Sequence, residues 1–196
     1  MTGKGSPRRQ KPLTYGRLER MAVHYLQRFP ASTQRFRMVM NRKIRRAHER
    51  APGPEDQYAT WLDTLEAACI QAGLLDDSAL ASGIAATQNR RGQGLRGIRA
   101  KLRARGFTEP TIQAALESLT ARFEARHQDP DLVAALRYAK RRRFGPFYAH
   151  ELTWDIRRRQ LASLARRGLS FGVCQKIMEL SPDEAENMLH AENLDG

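Results

Sequence analysis

Leu102-Arg103-Ala104-Arg105-Gly106-Phe107-Thr108 and, 62 residues later, Leu164-Ala165-Arg166-Arg167-Gly168-Leu169-Ser170 are two copies of one local design. Each reads as the end of one helix and the start of the next. Glycine after arginine ends a helix in a left-handed turn, the apolar residue after it plugs a core, and Thr or Ser caps the following helix. The apolar positions beyond also coincide: Ile112 with Cys174, Ala115 with Ile177, Leu116 with Met178. An element repeated at this distance predicts tandem helical units.

Outward from these turns the hydrophobic period is helical throughout. Leu18, Met21, Ala22, Tyr25, Leu26 and Phe29 mark a first helix over residues 15–29, stopped by Pro30. Ser32 caps a second, with Phe36, Val39, Met40 and Ala47 on one face. After the break at Pro52-Gly53-Pro54, Trp61, Leu65, Ala68, Cys69 and Ala72 mark a third, ended by Gly73. A fourth covers residues 77–89, and Gly92 and Gly94 separate it from a fifth with Leu95, Ile98 and Leu102 inward. Thr108 and Pro110 open a sixth (Ile112, Leu116, Leu119, Phe123), and Asp129-Pro130 a seventh (Leu132, Ala135, Leu136, Ala139). Gly145-Pro146 interrupts the chain before an eighth (Ile156, Leu161, Leu164) and a ninth (Val173, Cys174, Ile177, Met178). No strand-like alternation occurs, so the fold class is all-α. The nine helices group into three-helix units over residues 15–75, 76–128 and 129–180, between a disordered basic arm (1–14) and an acidic tail (181–196). The first unit shares the helix order but lacks the Arg-Gly turn.

Lys and Arg number 34 against 21 Asp and Glu, a formal charge of +13. Three stretches hold 24 of the 34: residues 35–50, 90–105 and 137–167. The first contains one acid, Glu49, and the second none; the third contains Glu151 and Asp155. A chain so charged expects an acidic partner, and one basic stretch per unit suits a long ligand better than a small one. The longest apolar runs, such as 132–136, have five residues, far below the ~20 of a membrane-spanning helix. No apolar segment follows the charged start as in a secretory signal. Two cysteines, Cys69 and Cys174, are too few for a disulfide framework. The expectation is a soluble cytoplasmic protein.

No enzyme or metal signature emerges. Asp76-Asp77, at a helix start, reads as a cap rather than as paired catalytic carboxylates. The histidines at 24, 48, 127, 150 and 190 lack metal-ligand spacing, and His150-Glu151 is a lone dipeptide. Gly92 and Gly94 follow no strand and precede no Gly-Lys-Ser, so they do not form a phosphate loop. Cys69 and Cys174, like Tyr25, Trp61 and Phe123, lie on apolar stripes and read as core. The basic helix faces have two readings, solvated surface or interface. The second stretch favours interface because it has no acid for i,i+4 pairing.

Several stretches, in order, resemble the RecX regulators of the bacterial recombinase RecA. Gly73-Leu74-Leu75-Asp76-Asp77 with Ala81 is similar to that family's junction between first and second repeats. Arg90-Arg91-Gly92-Gln93-Gly94, then Ile98, Leu102, Arg105-Gly106-Phe107 and Ile112, resembles its middle repeat. Tyr25-Leu26 with Ser32, and Arg166-Arg167-Gly168-Leu169-Ser170, resemble the first and third. The resemblance implies three tandem three-helix repeats in an elongated, curved monomer with no catalysis, cofactor or metal of its own. It implies binding in the groove of the RecA nucleoprotein filament, with modulation, usually inhibition, of ATPase and strand exchange. Some members bind DNA directly, and a basic DNA-binding protein acting without RecA is the alternative. The candidate partner- or DNA-binding residues are Arg90, Arg91, Arg96, Arg99, Lys101, Arg103 and Arg105, with Arg137, Lys140, Arg141, Arg142 and Arg143. Arg96, Arg99 and Arg103, at i, i+3 and i+7, predict a cationic ridge along the fifth helix.

Overall fold

A computed structural model describes residues 11–193. Its chain divides into two compact units, Met1–Asp77 and Ser78–Gly196. Among the described residues there are ten α-helices and no strand. The expected basic arm lies outside the described residues up to position 10. Its end belongs to the folded body, since Leu13 is buried in the first core.

The first unit holds α1 (Tyr15–Leu26), α2 (Thr33–Arg50) and α3 (Glu55–Gln71). Leu18, Phe36, Met40, Leu62 and Leu65 fill its core, with Ile44 and Tyr58. Two details of the sequence reading change here. Helix α1 stops before Phe29, which is exposed and rests on the Tyr25 ring at 5.6 Å. Ala68 and Ala72 are also exposed, because Tyr58 and Leu62 carry the stripe of α3 inward. Ser32 Oγ accepts the Arg35 N–H at 3.2 Å, as its capping role predicts. Asp77 is a cap as well, but of a distant helix: its Oδ1 accepts the Thr33 N–H at 2.8 Å, at the start of α2. Four unpaired N–H groups at a helix start make such a carboxylate favourable wherever it comes from.

The second unit contains α4 (Asp77–Arg90), α5 (Leu95–Ala104), α6 (Glu109–Glu124), α7 (Pro130–Arg142), a 3-10 turn at Gly145–Phe147, α8 (Trp154–Ala165), α9 (Phe171–Glu179) and α10 (Pro182–Asn193). It has two cores. One gathers Ala85, Ile98, Leu102, Phe107, Ile112 and Leu119 between α4, α5 and α6. The other gathers Leu136, Leu164, Leu169, Cys174 and Ile177 around α7 to α10. Helix α7 serves both, Val133 facing the first and Leu132 and Leu136 the second. That double duty explains the apolar run at 132–136. The duplicated turn forms as read: Gly106 and Gly168 have φ of 83° and 77°, and Phe107 and Leu169 are buried. Thr108 and Ser170 accept the N–H three residues on, from Thr111 and Val173.

The tenth helix corrects the count of nine. Ser181 and Glu184 form a reciprocal capping box: Ser181 N–H donates to Glu184 Oε2 at 2.8 Å and Glu184 N–H to Ser181 Oγ at 3.2 Å. Ala185 and Leu189 are buried in the second core, so much of the acidic tail is a packed helix. Hydrogen bonds from Ser181 hold the Glu184 carboxyl below its ordinary range. A depressed carboxylate stabilises above its unfolded pKa, and that contribution is lost as pH falls through the folded one. Acidification below about pH 4.5 is therefore expected to release α10 first. Amide exchange across residues 182–193 should rise before that of α7, and Glu184→Gln should remove the difference.

Asp131 joins α7 to α5, its Oδ1 accepting the Leu95 N–H at 2.7 Å. Burial, the largest influence, pushes its carboxyl up from the ordinary 3.8. The native state then binds the proton more tightly than the unfolded chain, so stability falls as pH rises through that interval. Asp131→Asn keeps the acceptor and removes the charge; its thermal midpoint is expected to match or exceed the parent's at neutral pH. Asp131→Ala, which lacks the cap, should lose about 1 kcal/mol.

Candidate functional site: a cationic turn fixed by buried amides

The turn joining α4 to α5, Arg91-Gly92-Gln93-Gly94, is seated against α7 and the α8–α9 turn. Gly92 has φ of 75°, and a Cβ there would stand 2.5 Å from Tyr138 Cβ. The Gly94 N–H donates to the Arg167 carbonyl at 2.9 Å. The Arg-Gly spacing thus joins two bundles of this unit, which is why the motif needs glycine rather than any small residue.

Around the turn, three buried side-chain amides each hold one cation. Gln88 Oε1 accepts from Lys101 Nζ, Asn89 Oδ1 from Arg137 Nη1 at 3.4 Å, and Gln93 Oε1 from Arg167 Nη1 at 3.3 Å. Asn89 is itself fixed by donating to the Pro130 carbonyl at 2.9 Å. Arg141 donates to the Arg91 carbonyl at 2.9 Å. The guanidinium groups of Arg167 and Arg141 lie 4.4 and 5.5 Å from the centre of the Tyr138 ring. An amide orients a cation without cancelling its charge. Lys101 is an exposed residue, yet its ammonium is held below the ordinary lysine range, first by burial against the turn and then by Arg167, Arg105 and Arg91. Burial, then Arg90, likewise pushes the Arg137 guanidinium down. A bound anion would relieve this repulsion.

The other candidates fare differently. On the predicted ridge, Arg99 and Arg103 both pair with Glu109 of α6, the latter at 2.8 Å, and Arg99 also donates to Gln113. The ridge is therefore not three open cations: the missing acid comes from the next helix. Arg96 remains exposed on α5. Lys140 pairs with Glu186 of α10 at 2.6 Å. Arg142 lies 5.9 Å from the Phe144 ring centre, and Arg143 is the left-handed cap of α7. In the first unit Arg37 pairs with Asp63 and Glu66 of α3. The structure therefore gathers Arg90, Arg91, Lys101, Arg105, Arg137 and Arg141, separates Arg99, Arg103 and Lys140 into ion pairs, and adds Arg167 with Gln88, Asn89 and Gln93. Of these additions only Gln93 and Arg167 carried a signal, Arg167 beside the glycine of the repeated turn and Gln93 between the two glycines of the α4–α5 turn.

Residues 76–116, which carry Gln88, Arg91, Gln93, Lys101 and Arg105, match the family model described as RecX, second three-helix domain. The Regulatory protein RecX of Myxococcus xanthus (strain DK1622) is 32% identical across 181 residues, 92% of each protein. This chain belongs to the RecX family. A second RecX regulatory protein, from Agrobacterium fabrum (strain C58), is 33% identical over 115 residues, 59% of this chain and 57% of the relative. The RecX match places four of the seven gathered cations, Arg90, Arg91, Lys101 and Arg105, inside the second three-helix domain, with Arg137, Arg141 and Arg167 beyond it. Among the described residues no helix is long and apolar enough to cross a membrane.

Proposed function

We propose that this protein regulates homologous recombination in the cytoplasm by binding the RecA nucleoprotein filament as a monomer and inhibiting its ATPase and strand exchange. The observation that supports this most is the pair of cations, Lys101 and Arg167, held by Gln88 and Gln93. A charge fixed in direction but not neutralised loses little conformational entropy on binding and keeps its full attraction for an acidic surface. A filament presents such a surface at every subunit. A rigid helical unit held against it hinders the subunit movements that accompany ATP turnover. The test is RecA ATPase on single-stranded DNA: turnover is expected to fall as the chain is titrated in, and no effect at any stoichiometry of folded protein overturns the proposal.

The second reading is direct nucleic-acid binding without RecA, favoured by the suitability of clustered guanidinium groups for phosphate. Such binding collapses with salt, with a log–log slope of roughly −0.7 per single-strand phosphate contact. Filament docking through hydrogen bonds and apolar contact retains a salt-resistant part.

A further inference from the structure

Helix α4 has a glycine in its interior that this chain's own packing does not use. A Cβ added at Gly83 would meet nothing within 4 Å. An interior helical glycine is less favourable than alanine by roughly 0.5–1 kcal/mol, so nothing in the fold accounts for the missing side chain. What it does is open a groove. A cavity of about 440 Å³ runs along α4 over Leu80, Gly83 and Ile84 and ends at Gln88, Arg91 and Arg105. Its floor is apolar, with Leu80 and Ile84 one helical turn apart and only partly buried. Its far end is the cationic turn, where Arg91 lies and Lys101 sits on Gln88.

We infer that this groove docks an acidic peptide segment of a protein partner, its carboxylates on Arg91 and an apolar side chain over Gly83. The inference rests on the reading of the cationic turn as the binding face and specifies what that face takes. A phosphodiester backbone satisfies the cationic end but gains nothing from the Leu80–Ile84 floor, whereas a peptide supplies both chemistries. The empty volume at Gly83 is room for a side chain arriving from outside.

The experiment measures fluorescence anisotropy of three labelled probes with the full chain: an acidic peptide of glutamates flanking two leucines, the same peptide with glycines for leucines, and an oligothymidylate. The leucine peptide is expected to bind about ten-fold or more tightly than the glycine peptide, the effect of burying one apolar side chain. Gly83→Trp, which fills the groove, should reduce the leucine peptide to the level of the glycine peptide and leave oligothymidylate binding unchanged. Circular dichroism of Gly83→Trp checks that the helices persist. Equal binding of the two peptides, or no effect of Gly83→Trp, overturns the inference, as does an oligothymidylate affinity that falls with Gly83→Trp. The recombinase reading fails separately: peptide selectivity without any effect on RecA ATPase leaves the groove standing, and ATPase inhibition without peptide selectivity removes the groove alone.

Discussion

Replacing Gly168 with alanine is expected to lower the stability of the second unit by about 3 kcal/mol or more, the sum of left-handed strain and backbone overpacking. At φ of 77° an L side chain is strained before any contact is considered. The contact then adds to it, because the new Cβ would stand 2.2 Å from the Gly97 nitrogen and 2.6 Å from its Cα. Backbone atoms at the start of a packed helix cannot swing aside as a flexible side chain would. The reciprocal position behaves alike: a Cβ at Gly97 would approach the Arg167 carbonyl to 2.5 Å. Such a loss is a large part of the roughly 5–15 kcal/mol that holds a domain together. Gly172→Ala, at the start of α9 with nothing within 4 Å, is the control and should be neutral or slightly stabilising. Urea midpoints of the three proteins make the comparison. A Gly168→Ala midpoint equal to the parent's would show that the α5 and α8–α9 backbones are not in contact.

The largest functional effect is expected from reversing charge at the turn. Arg91→Glu with Lys101→Glu should weaken filament binding about a hundred-fold, since each lost cation at a close charge pair contributes on the order of 1.5 kcal/mol or more. Stability should hold or rise, because Lys101 sits among Arg91, Arg105 and Arg167 and its charge is already disfavoured there. Loss of binding without loss of structure separates this pair from a core defect. Arg99→Gln with Arg103→Gln should change binding by no more than about three-fold, because Glu109 already engages both and exposed pairs contribute little.

Much of this arrangement was legible in the sequence, for identifiable reasons. Helices with a wide apolar stripe and a cap announce themselves: α5, α6 and the Arg-Gly turns follow from local chemistry alone. Helix α10 did not, because its stripe is thin and embedded in acids. The Ser181-Pro182-Asp183-Glu184 box was the available signal. At the site, the cations were visible and their partners were not. Glu109 lies four positions beyond the acid-free stretch, yet the α5–α6 turn folds it back onto Arg99 and Arg103. Gln88 and Asn89 resemble any polar helix face until α7 and Lys101 cover them. Arg167 meets Gln93 across 74 positions, a pairing that only the packing of α5 on the α8–α9 turn creates. Local periodicity encodes elements; which charges stay uncompensated is decided by tertiary contact.

The central claim is that the cations of the turn fixed by buried amides, Arg91 and Lys101 among them, rather than basic charge in general, form the binding face. It is tested most directly by measuring the affinity of this protein for RecA filaments on single-stranded DNA in two equally discharged variants. One carries Arg91→Gln with Lys101→Gln, the other Arg99→Gln with Arg103→Gln. The first is expected to bind at least ten-fold more weakly than the second, on the order of 1.4 kcal/mol. Equal loss in both, or a greater loss in the second, would contradict the claim.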